Sequence, residues 1–201
     1  MGVQTDVQVK FIADENAADP DRLVTAARPN TSATMATTTF LGGGARNVTV
    51  TTTGTGDNGK TCTVTGSDVF GNAMTEVITS TGSAEAVAGA KLFLTVSAVE
   101  CSAQYAANIT VGSGSLCASA VAGGGRTRLK GYSIVSAGTA GLVDFYNGTP
   151  EDGTIIFKAQ TIGTDNSTVD NTIPDEGMLF KSGLAVGYTV ATVVLANVFF
   201  A

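Results

Sequence analysis

The sequence predicts an all-β protein: two small antiparallel β-sandwich or jelly-roll-like domains preceded by an extended N-terminal arm. Three observations carry that expectation. Between Asn47 and Thr79, Thr alternates with Val or Cys, the two-residue period of strands with one buried and one wet face. The runs are separated by Gly-Thr-Gly-Asp-Asn-Gly at 54–59 and Ser-Asp-Val-Phe-Gly-Asn at 67–72, both composed of turn-forming residues. No helix of the length an α/β fold needs is visible. With 43% hydrophobic but only 14% charged residues, the chain is apolar enough to fold and too weakly charged to be disordered.

Taken in order, residues 1–39 read as the arm. Asp14-Glu-Asn-Ala-Ala-Asp-Pro-Asp21 is acidic and turn-like, a short helical turn fits Asp21 to Ala27, and Pro29 to Thr39 is a small-residue stretch without an amphipathic face. Such an arm would lie across a neighbouring subunit and order there. The first domain, 40–121, carries strands at Asn47–Thr53, Thr61–Thr65, Thr75–Ser80, Ala90–Val99 and Asn108–Val111. Turn signals at this spacing belong to a sandwich or small barrel. Gly112-Ser-Gly-Ser and Ala122-Gly-Gly-Gly125 flank a stretch that reads as a linker. The second domain, 122–201, has strands at Arg126–Val135, Gly141–Tyr146, Gly153–Lys158, Ile173–Phe180 and Tyr188–Phe200. In the last of these both alternating faces are apolar, so it is either buried between layers or covered by another subunit.

The chemistry available is narrow. The chain has no His, which removes imidazole-based triads and the common zinc sites. Ser182 beside Lys181 would face the opposite side of a strand, and no Gly-x-Ser-x-Gly elbow occurs. The carboxylates Asp144, Glu151, Asp152, Asp165, Asp170, Asp175 and Glu176 fall mostly in turns and read as solvated, while Asp57-Asn58-Gly59 lacks the spacing of a calcium loop. Gly42–Gly44 and Gly123–Gly125 precede strands, not helices, so neither has phosphate-loop context. Cys62, Cys101 and Cys117 are odd in number and lack a CxxC spacing, and Cys62 reads as a small core residue. Neither enzymatic activity, a cofactor nor a metal is therefore expected.

A net charge of −6 argues against a nucleic-acid partner. The one local basic group, Arg126, Arg128 and Lys130, stands at i, i+2 and i+4, on one strand face that could meet an acidic neighbour. Five Asn-x-Ser/Thr triplets read as by-products of a Thr-rich composition. Met1 to Lys10 lacks a targeting pattern, and the apolar end from Ala185 is too interrupted for a membrane span, so synthesis in a cytoplasm and no membrane partner are expected. The interaction candidates are Arg126, Arg128, Lys130, Val194, Val198 and Phe200.

Two stretches resemble a known group of proteins. Val48-Thr-Val-Thr-Thr-Thr-Gly-x-Gly-Asp-Asn-Gly with Thr63-Val-Thr-Gly-Ser-Asp-x-Phe-Gly-Asn-Ala-Met-Thr-Glu-Val is similar to β-domains of virion proteins from tailed bacteriophages. Ile173-Pro-Asp-Glu-Gly-Met-Leu-Phe-Lys-Ser-Gly-Leu-Ala-Val and the Val-rich last strand resemble the terminal β-sandwich of such proteins. The resemblance implies a structural protein of the particle, foremost a decoration or cement protein on the capsid surface, forming trimers or dimers and clamping major capsid protein subunits. A tail, collar or head-fibre component, or a carbohydrate- or receptor-binding virion domain, is the alternative. No catalytic residue is carried over, because the matching positions are turn formers and core residues.

Overall fold

The computed structural model describes residues 7–13 and 17–201; Met1–Asp6 and the acidic start Asp14–Asn16, read above as turn-like, lie outside the described residues. The chain is all-β, in antiparallel sheets, and it divides into two compact units. A central unit comprises Asn16–Cys117, and a terminal unit combines Met1–Glu15 with Ala118–Ala201. The division at Cys117/Ala118 falls close to the expected 121/122. The N-terminal segment is not a separate arm, however: its start belongs to the terminal unit and the rest, through Thr39, to the central one.

The first strand, β1 (Gln8–Ile12), belongs to the terminal unit. The central unit follows with β2 (Val24–Ala27), β3 (Ala45–Thr52), β4 (Thr61–Ser67), β5 (Ala73–Thr79), β6 (Ala86–Phe93), β7 (Thr95–Cys101) and the long β8 (Ile109–Ala122), which ends beyond the division. One layer orders β6-β3-β8 with β2 also on β8, and the other orders β5-β4-β7. Val48, Val50, Phe93, Ile109 and Val111 of the first layer share a core with Cys62, Val64, Ile78, Val96 and Val99 of the second, a sandwich-like arrangement. Each fully buried side chain of this kind stabilises the fold by roughly 1.5–3 kcal/mol.

On β4 the expected alternation appears: Cys62 and Val64 are buried while Thr61, Thr63 and Thr65 are half-buried. On β3 it does not, since Arg46, Asn47 and Thr49 are buried along with Val48 and Val50. β3 lies between β8 and β6, and β6 bulges beside it: the register against β3 jumps between Asn47↔Leu92 and Thr49↔Ala88. The Asn47 amide fills the irregularity by donating to Gly89 O (3.2 Å) and accepting from Leu116 N (3.0 Å). From β5, the Glu76 carboxylate accepts the freed N–H of Ala90 at 2.7 Å.

The two sequence turns also differ in kind. Ser67–Asn72 closes the β4–β5 hairpin, with Asp68 Oδ1 accepting from the N–H groups of Phe70 (2.8 Å) and Asn72 (2.9 Å). Gly54–Gly59 instead carries the chain from one layer to the other, through one 3-10 turn at Thr55–Asp57. Asp57 is fully buried there. Its carboxylate accepts from Lys60 Nζ (2.8 Å), Ala106 N (2.6 Å) and Ala107 N (3.2 Å), tying this turn to the loop after β7. Burial works to raise the Asp57 pKa, but these donors outweigh it and hold the carboxyl below its ordinary value.

Residues 17–39, expected to extend away as an arm, are built into this unit. Leu23 and Val24 are fully buried, and Leu23 N donates to Val111 O at 2.9 Å. Further along, Ser32 bridges Glu100 and Thr39 bridges Thr95, so this stretch lies along β7 at the edge of its sheet. Small residues here permit close backbone approach, where the sequence suggested only lack of structure. The Gly112–Ser115 stretch, expected to be a linker, lies within β8. A Cβ at Gly112 would collide with the backbone of Asp19 and Pro20, and one at Gly114 with the Asn47 side chain. These glycines therefore serve packing.

The terminal unit continues with β9 (Thr127–Ser136), β10 (Leu142–Asn147), β11 (Thr154–Gln160), β12 (Thr168–Thr172), β13 (Met178–Phe180), β14 (Leu184–Thr189) and β15 (Val193–Phe200). One layer runs β1-β15-β9-β12 with β13 also on β9; the other contains β11-β10-β14. Tyr132 of β9 meets Phe145 of β10 and Phe157 of β11, with ring centroids 5.6–5.7 Å apart in tilted contacts. The expected strand Tyr188–Phe200 is two strands, separated by a 3-10 turn at Val190–Thr192. Likewise Ile173–Phe180 is a turn followed by the short β13.

Candidate interaction surface

The terminal unit sets apolar side chains in water along one sheet edge. Among the described residues β1 pairs with β15 alone, in a register placing Val9 opposite Phe199 and Phe11 opposite Asn197. Successive strand residues point to opposite faces, so Val9 and Phe11 share a face. They are 58% and 57% exposed, Val7 just before them is 52% exposed, and Phe199 is 37% exposed. Ile12, at the other parity of β1, is buried and fastens the strand to the unit.

A groove of about 480 Å³ lies beside this strip, lined by Val7, Lys130, Tyr132, Asp170, Asn171 and Phe199, among others. Its floor is β9, where Gly131 faces Phe199 on one side and Thr172 on the other. A Cβ at Gly131 would press on Asn171 O at 2.7 Å, so a glycine here keeps β12 close and the groove open. The groove thus combines apolar walls, from Val7, Tyr132 and Phe199, with the polar side chains of Lys130, Asp170 and Asn171.

The six residues expected from sequence fall into four situations. Arg126 is exposed and precedes β9, outside the strand face on which the spacing placed it. Arg128 and Lys130 are on β9 but turn to the same chain. Arg128 Nη2 sits 2.8 Å from Glu176 Oε2, and Lys130 Nζ donates to Asp175 O at 3.2 Å. The acidic neighbour is the Pro174–Gly177 turn, in which Asp175 and Gly177 adopt positive φ of 56° and 77°. Val198 is fully buried, opposite Tyr132, and belongs to the core. Val194 and Phe200 are half-buried.

Strict alternation along the last strand assigned Val198 and Phe200 to one face and Phe199 to the other. The structure keeps that alternation from Ala196 to Phe199, where the register against β9 runs without a shift: Val198 turns into the core and Phe199 to water. Phe199, with Val7, Val9 and Phe11, was missed by sequence reasoning. The local signal was there: Val7, Val9 and Phe11 alternate with Gln8 and Lys10.

Among the described residues, no group of three or more His, Cys, Asp or Glu side chains is placed to hold a metal ion, and no helix is long and apolar enough to cross a membrane. No protein-family model, curated protein or solved structure matches this chain.

Proposed function

We propose that this chain is a structural, non-enzymatic component of a tailed-bacteriophage particle: a decoration protein that binds the outside of the capsid and strengthens contacts between major capsid protein subunits. The observation that carries this reading is the exposed apolar strip made by Val9 and Phe11 of the edge strand β1, Val7 just before it and Phe199 of the neighbouring β15. An edge strand with unpaired backbone and apolar side chains in water is a template for association, and a partner of fixed shape turns that liability into a binding site. The turn-and-strand resemblance to virion proteins names the partner class. On a capsid lattice, many weak contacts of this kind add through effective concentration, whether the chain acts singly or as a dimer or trimer.

Two measurements test the proposal. Imaging of the particle should find copies in the hundreds over the capsid surface; a handful at one vertex would replace decoration with a connector or tail role. In a sedimentation assay with empty heads, the Val9→Ser/Phe11→Ser double variant should stay folded by circular dichroism yet bind at least about tenfold more weakly, the effect of losing anchors worth ~1.4 kcal/mol or more. Unchanged binding would remove the strip from the interface.

A further inference from the structure

In the central unit the antiparallel register of β4 and β7 sets Cys62 directly opposite Cys101. Ser102 N donates to Thr61 O at 3.0 Å, the bond expected beside a non-hydrogen-bonded pair, where facing side chains come closest. Cys101 N turns the other way, to Thr31 O. Both side chains are buried on the core face, with their Sγ atoms 3.8 Å apart and the Tyr105 hydroxyl 3.2 Å from Cys62 Sγ. Cys117 is elsewhere, on β8, its Sγ directed to Ser115 O.

Two small hydrophobes filling a core would need neither this register nor this sulfur contact. We infer that Cys62 and Cys101 are a latent cross-strand disulfide, a modification site at which a peroxide or small-molecule disulfide oxidises the pair and staples β4 to β7. The proposal is independent of the particle role above.

The order of events follows from the surroundings. The Cys101 S–H contact lowers the Cys62 pKa, burial opposes it and the Tyr105 hydroxyl assists, so Cys62 ionises first; the same contact and burial push Cys101 up. Cys101, at the end of β7 and 9% exposed, marks the side from which a small oxidant arrives. With hydrogen peroxide, the Cys62 thiolate attacks one oxygen: an S–O bond forms, the O–O bond breaks, and the departing hydroxide takes a proton to become water. The Cys101 sulfur then attacks the sulfenic sulfur: the S–S bond forms, the S–O bond breaks, and the second hydroxide leaves with the Cys101 proton as water. Two thiols and one peroxide give one disulfide and two waters. Closing 3.8 Å to a bond of ~2.05 Å needs side-chain rotation with a small approach of strands already paired.

The full-length folded protein, treated with hydrogen peroxide, alkylated and digested with chymotrypsin, tests this directly, because cleavage after Tyr105 separates Cys101 from Cys117. The expected product is a Cys62–Cys101 linked peptide with Cys117 alkylated, and a melting temperature roughly 5–10 °C higher that returns to its starting value on reduction. Cys117→Ala should give the same link. Cys101→Ser should strand Cys62 as a sulfenic acid that dimedone traps. All three thiols still alkylatable, a link involving Cys117, or the pairing distribution of a urea-unfolded control would overturn the proposal.

Discussion

The central unit encloses the charged residues Arg46, Asp57 and Asp68, whereas the buried polar residues described in the terminal unit are hydroxyls: Thr127, Ser136, Thr161 and Thr192. The terminal unit in turn shows more of its large apolar side chains to water, with Val9, Phe11, Ile156, Ile162 and Phe199 all exposed. Both units are sandwich-like and share one style of Thr- and Val-rich strand, so the difference is not one of fold. A buried charge tolerates only one arrangement of donors and acceptors, which fixes how loops and layers meet. Arg46 shows the same logic: its guanidinium donates to Gly114 O from Nε at 3.1 Å and from Nη2 at 2.5 Å, locking β3 to β8. An aromatic core sets shape by volume and leaves the outer face free to vary. The central unit thus holds its charges inside, while the terminal unit leaves more large apolar side chains in water.

Phe145→Ala breaks the terminal side of this comparison and has the largest expected effect. Phe145 is fully buried and touches both Tyr132 and Phe157, so truncation empties the centre of the unit. A loss of about 3–5 kcal/mol is expected in urea unfolding. A loss under about 1 kcal/mol would mean that the three rings are not the centre of stability. On the central side, Asp57→Ala should cost about 2–4 kcal/mol, because Lys60 and the N–H groups of Ala106 and Ala107 lose their acceptor together. Asp57→Asn keeps one acceptor oxygen and should cost less. Equal losses in the two variants would contradict a role for the charge.

How much of this was legible depends on whether the determining contact is local. The Thr61–Thr65 alternation and the Ser67–Asn72 hairpin are local and were readable. Asp57 was not, because an Asp-Asn-Gly turn looks solvated until Ala106 and Ala107 are brought to it. The fate of the N-terminal segment was equally hidden: β1 pairs with β15 at the far end of the sequence, and Leu23 owes its burial to β8. On the candidate surface, the apolar character of the last strand and the opposition of Val198 to Phe199 were plain, but which of the two faces meets the core and which meets water is set by the layer packed against it. Periodicity reveals that a face exists; only the partner decides which one it is.

Acid sharpens the comparison further. The folded-state pKa of Asp57 lies below its ordinary value, so its stabilising contribution is complete above the unfolded-state pKa of about 4. As pH falls below that, the unfolded chain takes up a proton first and the contribution declines, vanishing once pH has passed through the folded value. Denaturant melts of the wild type and Asp57→Asn should therefore differ most above pH 5 and converge toward pH 2. A gap constant over that range would show that hydrogen bonding without charge accounts for the effect.

The smallest effect on stability is expected at Phe11, and it makes the sharpest contrast with Phe145. The two phenylalanines belong to one unit, yet one is fully buried and the other is 57% exposed on an edge strand. Phe11→Ser removes apolar area that is already mostly in water, so unfolding free energy should change by no more than about 1 kcal/mol. If the exposed strip exists for a partner, the same substitution should act where stability is blind, reducing association while leaving the melting curve nearly unchanged. A large loss of stability would instead mean that Phe11 secures β1 to the sheet, and the strip would then be part of the fold and not of an interface.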